Sequence, residues 1–209
     1  MRACWRNDPR AMLGDDLTSR VAEPRKDIDA WHEAGHVLIG LHRGVAVLRV
    51  TIEECHGTTG MTTFRDGDIP PIDEQWISVA GAIADYVMVR PEIDLVELRE
   101  YFDEITYSKA RDDHNRFVWT LHKLGLLTKE QIEHPLFESF DGAYELVVRP
   151  RLNERIDEAS RILAGRRNSL ERLADALIDR KTLTGNEIKD LLTGSTNPFG
   201  PHDDGYAFR

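Results

Sequence analysis

The chain has 209 residues, of which 41% are hydrophobic and 31% charged, a composition typical of a folded globular protein. Its formal net charge is −10 and it has no dense run of Lys or Arg, so it lacks the electrostatic signature of a nucleic-acid-binding protein. No stretch of 18 apolar residues occurs, so no membrane span is expected. The N-terminus has no apolar run typical of secretory signals, and two cysteines make no disulfide framework. We therefore predict a cytoplasmic protein.

The predicted elements begin with a helix and a small β-hairpin. Residues 1–26 form a polar lead-in. Apolar residues at helical spacing predict a first helix over 30–42, capped by Asp27 or Asp29 and ended by Arg43-Gly44. Residues 45–53 and 61–64 are rich in strand-forming types and flank a glycine-containing turn, which predicts a hairpin.

Helical patterns then continue almost to the C-terminus. The predicted helices cover 77–89, 93–102, 108–124, 135–164 with a break or kink at Pro150, 169–178 and 184–192. Residues 194–209 are rich in Gly, Pro, Ser, Asn and Asp and are predicted to be a frayed tail. The predicted fold class is α+β and mostly α, with one domain over 27–193 in which a helical bundle follows a small sheet.

His32, Glu33 and His36 form the pattern H-E-x-x-H within the first predicted helix. Residues four apart are separated by about 40° around a helix axis, so the two imidazoles project together and can bind one metal ion. Glu33 is rotated by about 100° from His32, so it is placed to reach a water on the ion and not the ion itself. Two imidazoles with an open position are typical of catalytic Zn²⁺. The pattern predicts peptide-bond hydrolysis by a zinc-activated water, with Glu33 as general base.

The spacing of the motif offers one candidate third ligand, His42. It lies at the third-histidine position of the longer pattern H-E-x-x-H-x-x-G-x-x-H. That pattern needs a glycine where this chain has Ile39, because the chain must leave the helix there. If the helix continues, His42 is turned away from His36. A favourable interaction with the negative end of the helix dipole then explains a histidine at this position better than metal binding does.

Two other kinds of third ligand stay open on the residues alone. One is a glutamate on a later helix. The candidates of this kind are Glu97, Glu100 and Glu104. The other is an aspartate at the start of a later helix, and Asp112 and Asp113 fit that position. An N-terminal helix cap is the structural alternative for this aspartate pair.

Several segments resemble the FtsH-type zinc peptidases. Residues 31–38, W-H-E-A-G-H-V-L, resemble the family signature [YW]-H-E-A-G-H-A-[LV]. Weaker likenesses follow in the family's order: R-V-T-I at 49–52, G-M-T at 60–62, A-G-A-I-A-D at 80–85, K-A-R-D-D at 109–113 and T-L-T-G-N-E-I at 182–188. Together they cover about 27–193, which the resemblance identifies as an FtsH-like peptidase domain.

The resemblance implies a role for each matching residue. His32 and His36 are expected to be zinc ligands, Glu33 the general base and Asp113 the third ligand, with Asp112 as the alternative. The family has Glu at the position of residue 85, where this chain has Asp, and Arg at position 82, where it has Ala. The strand at 60–64 resembles the family's edge strand beside the zinc, to which an extended substrate can add. An ordinary hairpin strand is the alternative.

The resemblance also implies a substrate class and partners. It implies a zinc metalloendopeptidase that hydrolyses polypeptides. The family couples its peptidase to an AAA ATPase, but this sequence has no G-x-x-x-x-G-K-[ST] loop, so we expect no ATPase module in it. We therefore expect either unfolded or small polypeptides as substrates or a separate ATPase partner, and a homo-oligomer is an open alternative. The non-enzymatic alternative is a zinc-binding interaction or regulatory domain, which Glu33 disfavours because a structural zinc site needs no base.

Overall fold

The computed structural model describes residues 24–55, 58–65, 69–90, 92–105, 110–133 and 142–193. The elements in these ranges are α1 (Pro24–His42), β1 (Val47–Cys55), β2 (Thr58–Phe64), α2 (Pro71–Val89), α3 (Leu95–Ile105), α4 (Arg111–Lys123), α5 (Lys129–Glu133), a π-helical turn (Tyr144–Val148), α6 (Arg149–Gly165), α7 (Arg167–Arg180), β3 (Thr182–Thr184) and α8 (Gly185–Thr193). The mostly helical α+β class is confirmed. The predicted tail and most of the lead-in lie outside the described residues.

The sheet contains one strand more than the predicted hairpin. Its order is β2-β1-β3, and β1 pairs antiparallel with both neighbours. The sequence prediction missed β3 and began a helix at Thr184, whereas α8 begins at Gly185. Three residues are too few to show an alternating pattern, and β3 exists because its residues pair with β1, as Thr51 does with Thr182.

Several predicted helix boundaries differ from those observed, and α5 was not predicted. α1 begins at Pro24 and not at residue 30, which is consistent with the ease with which proline occupies the first turn of a helix. At Pro150 the helix is not broken, because the π-helical turn passes directly into α6 with Pro150 in its first turn, and the kink stays a prediction. The guanidinium of Arg151 donates a hydrogen bond of 3.0 Å to the Val147 carbonyl in the turn before the proline.

The core is built around the contact between α1 and α2. Residues 77–87 of α2 are all buried, by α1 on one side and by α4 and α6 on others. A Cβ on Gly35 of α1 would lie 2.5 Å from the Ala80 carbonyl oxygen and 2.7 Å from the Ala84 Cβ, so the two helices meet at backbone distance. No helix within the described ranges is both long and apolar enough to cross a membrane.

Gly35→Ala should destabilise the protein, because its new Cβ must push α1 away from α2. We expect the free energy of unfolding to fall by about 1–3 kcal/mol, measured by urea denaturation. The matched control is Gly165→Ala at the end of α6, where a Cβ meets no atom within 4 Å. Equal stability of the Gly35 variant and wild type would contradict the close packing.

Candidate metal centre

Three side chains converge between α1 and the first turn of α4. The ligand atoms of His32, His36 and Asp113 all lie within 4.8 Å of one another. The Nε2 atoms of His32 and His36 lie 3.0 Å and 3.3 Å from Oδ2 of Asp113. A tetrahedral metal ion with bonds of about 2.0–2.1 Å separates its ligand atoms by about 3.3 Å. The donor set therefore fits a divalent ion of the zinc type in its chemistry, and the distances from Asp113 to the two histidines are close to the spacing that such an ion requires.

The other ring nitrogen of each histidine is held by a hydrogen bond. His32 donates from Nδ1 to Oδ2 of Asp85 at 3.0 Å, and His36 donates from Nδ1 to the Ile77 carbonyl at 2.8 Å. Both bonds leave Nε2 facing Asp113. Such outer contacts fix the tautomer and the ring orientation of metal-binding histidines. The contact with the Ile77 carbonyl could not be predicted from the sequence, because every residue has a backbone carbonyl. Asp85 was noted in the sequence only because the FtsH-type family has Glu at that position.

Gly81 allows α2 to come this close to His32. A Cβ on Gly81 would overlap the imidazole ring of His32, so the ring lies directly against the backbone of α2. Asp85 lies four residues further along α2 and therefore on the same face as Gly81. The small residues that the sequence shows in α2 thus serve both helix packing and the contact with His32.

Burial and nearby charges shift the pKa values of His32 and Asp113 in opposite directions. His32 is 9% exposed, and burial alone would lower its pKa, but Asp85 and Asp113 raise the pKa of His32 to about 10. Burial would raise the pKa of Asp113, yet the neighbouring His36 and His32 hold it well below its usual range. In the absence of a metal, His32 is therefore protonated at neutral pH and ion-paired with the two carboxylates.

Glu33 is buried beside this cluster without belonging to it. Its Oε2 accepts a hydrogen bond of 2.6 Å from the hydroxyl of Thr62 in β2. Gly60, also in β2, has φ of +123°, and a Cβ there would lie 2.7 Å from Oε1 of Glu33. The strand β2 therefore contacts the carboxylate of Glu33 through both residues, a role that the sequence analysis missed for Thr62.

The other candidate ligands lie outside the cluster in the described part of the chain. His42 is the last residue of α1, so the helix continues past Ile39 and His42 is turned away from His36. Glu97 of α3 instead accepts a hydrogen bond of 3.2 Å from the hydroxyl of Tyr86. Asp112 precedes Asp113 in the first turn of α4 and is exposed to solvent. The structure thus brings Asp113, and not its neighbour, to the two histidines.

Known proteins show similarity along most of the chain. The ATP-dependent zinc metalloprotease FtsH 3 of Symbiobacterium thermophilum is 29% identical over 204 residues, which is 86% of this chain and 32% of that protein. The ATP-dependent zinc metalloprotease FtsH of Thermus thermophilus is 25% identical over 216 residues, 88% of this chain and 32% of that protein. The chain resembles the FtsH-type zinc metalloproteases. The resemblance predicted from the sequence is thus confirmed.

The FtsH-type resemblance extends to a eukaryotic protein. The mitochondrial inner membrane m-AAA protease component yta12 of Schizosaccharomyces pombe is 22% identical over 195 residues, 88% of this chain and 25% of that protein. The chain spans about a third or less of the length of the curated relatives it matches. No family model matches it.

The stability of the metal-free protein should fall as the pH rises from about 6.5 to 10. The pKa of His32 is raised from 6.5 to about 10, so its ion pairs contribute fully below pH 6.5 and are lost as the pH approaches 10. We expect a slope on the order of 1 kcal/mol per pH unit, measured by urea denaturation in a chelating buffer. The variant His32→Gln should show a smaller slope, and equal slopes would contradict the assignment.

Proposed function

We propose that the chain is a zinc-dependent metalloendopeptidase domain, over 27–193, that hydrolyses peptide bonds of unfolded or small polypeptides. The observation that carries the proposal is the convergence of the buried His32 and His36 with the partly buried Asp113, with Glu33 on the same helix as the two histidines. The names of the relatives, which are zinc metalloproteases, support zinc as the metal.

In this proposal His32, His36 and Asp113 hold the metal. Zn²⁺, when bound, supplies a Lewis acid and lowers the pKa of water at its open position to about 7. Asp85 and the Ile77 carbonyl keep the imidazoles aimed at the ligand position.

Glu33 performs the proton transfers. Its carboxylate accepts a proton from the attacking water as the oxygen of that water bonds to the peptide carbonyl carbon. It then gives the proton to the amine nitrogen as the C–N bond breaks. Because Glu33 is outside the ligand cluster, its carboxylate stays available for this role. A purely structural zinc site fills its coordination positions with protein ligands and needs no such group, which disfavours the alternative of an inactive zinc-binding interaction domain.

The edge of the sheet is our proposed binding surface for the substrate. In the described sheet β2 pairs with β1 alone, so its other edge is available to an added strand. Residues Gly60 and Thr62 of this strand contact Glu33. An extended polypeptide paired with β2 through main-chain hydrogen bonds would lie close to the base with little dependence on its sequence.

Partners of the chain follow from its relatives and its composition. The relatives named above as FtsH are described as ATP-dependent, and we propose that an ATPase supplies unfolded polypeptide to this domain. A homo-oligomer is compatible with such a partner. The net charge of −10 favours neutral or basic peptides over nucleic acid as ligands. The cytoplasmic location stays a prediction from the sequence.

Asp113→Ala should lose bound zinc, because it removes one of three proposed ligands. We expect the zinc content of the dialysed protein, measured by atomic absorption, to fall from about one ion per chain to a small fraction of that. The matched control is Asp112→Ala, which removes the adjacent exposed carboxylate and should keep its zinc. Loss of zinc from the control alone would show that the third ligand is misassigned.

Glu33→Gln should keep its zinc and lose its activity, because the amide cannot accept the proton of the attacking water. We expect the cleavage of casein in zinc buffer without ATP to fall by about 10²–10⁴-fold relative to wild type. Zinc content is measured on the same samples. Equal cleavage by both proteins would show that Glu33 is not the general base. A zinc-loaded wild type that leaves casein intact would contradict activity without an ATPase partner.

A further inference from the structure

We propose that Thr62 is a positioning residue for the general base, holding the carboxylate of Glu33 in one orientation through its hydroxyl. This inference rests on the proposed function, in which Glu33 transfers protons. Thr62 belongs to β2 and Glu33 to α1, so the contact joins the two elements on which we place the substrate and the base.

The hydrogen bond is short and directed at one carboxylate oxygen. The Thr62 hydroxyl donates to Oε2 of Glu33 at 2.6 Å, within the range of a bond to an ionised acceptor. Glu33 is only 6% exposed, so few water molecules compete for that oxygen. Because a glutamate side chain has three rotatable bonds, one such bond removes much of its freedom to turn.

The other carboxylate oxygen is confined by the same strand. Gly60 lies two residues before Thr62 in β2, opposite an irregularity in the pairing with β1. A Cβ on Gly60 would lie 2.7 Å from Oε1 of Glu33, so the bare backbone leaves just enough room for that oxygen. Thr62 thus holds Oε2 while the glycine leaves space for Oε1.

Sheet formation does not account for the Thr62 hydroxyl. The backbone of Thr62 is paired with Val50 of β1, and that pairing would persist with any β-branched residue. Valine has nearly the same shape as threonine and lacks the hydroxyl. Replacing Thr62 with valine therefore removes the hydrogen bond and keeps the packing.

The first test compares Thr62→Val, Thr62→Ser and the control Thr193→Val on the zinc-loaded full chain. Thr193 is exposed at the end of α8, outside the strand proposed to bind the substrate. With a fluorogenic peptide substrate, we expect Thr62→Val to lower kcat by about 10- to 100-fold with little change in KM and in zinc content. Thr62→Ser, which keeps the hydroxyl, should recover most of the loss, and Thr193→Val should match wild type.

The second test requires neither metal nor activity. A double-mutant cycle compares the effect of Thr62→Val on the folding equilibrium constant in wild type and in Glu33→Ala, by urea denaturation of the metal-free protein. We expect a decrease of about tenfold in wild type and a much smaller one without the Glu33 side chain.

Each outcome decides a different point. Coupling in the cycle together with a serine-rescued loss of kcat supports the proposal. Equal loss in Thr62→Val and Thr62→Ser, or full activity of Thr62→Val, overturns it. If the zinc-loaded wild type cleaves nothing while the cycle shows coupling, the proposed function fails, and Thr62 then orients a carboxylate that is not a catalytic base.

Discussion

The approach of α1 to α2 is limited by backbone atoms, and the candidate metal centre depends on that short distance. Gly35 of α1 lies against the carbonyl of Ala80, and the ring of His32 lies against Gly81. A larger residue at either glycine would overlap atoms of the facing helix and force α1 away from α2, because a close-packed core has no free volume for the added atoms. The imidazole of His32 would then move away from Asp85, and the alignment of its Nε2 with Asp113 would be lost.

Charge balance is the second condition on the site. His32 has a carboxylate on each of its ring nitrogens, which is why its pKa is raised although the ring is buried. An ion bound at Nε2 needs the lone pair that the proton occupies, so metal uptake and proton release are linked. A proton on His32 and a bound metal ion are thus alternative positive charges beside the carboxylates of Asp85 and Asp113.

Local geometry explains which parts of the site the sequence could predict. His32 and His36 project together because helical spacing is a property of a few neighbouring residues. Asp113 comes from a distant helix, so the residues alone left it equivalent to Asp112, and only the family resemblance favoured it. The packing of α4 against α2 distinguishes the two, because it turns one side chain inward and leaves the other exposed.

The sheet also joins parts of the chain that are made at very different times. Thr51 and Thr182 share a hydrogen bond of 2.8 Å between their hydroxyl oxygens although they are 131 positions apart in the sequence. During synthesis the histidines, the base and β2 all leave the ribosome long before β3 can pair with β1. The sheet beside Glu33 is therefore completed only after the residues of β3 have also been made, so a shorter nascent chain would carry the H-E-x-x-H motif beside an incomplete sheet.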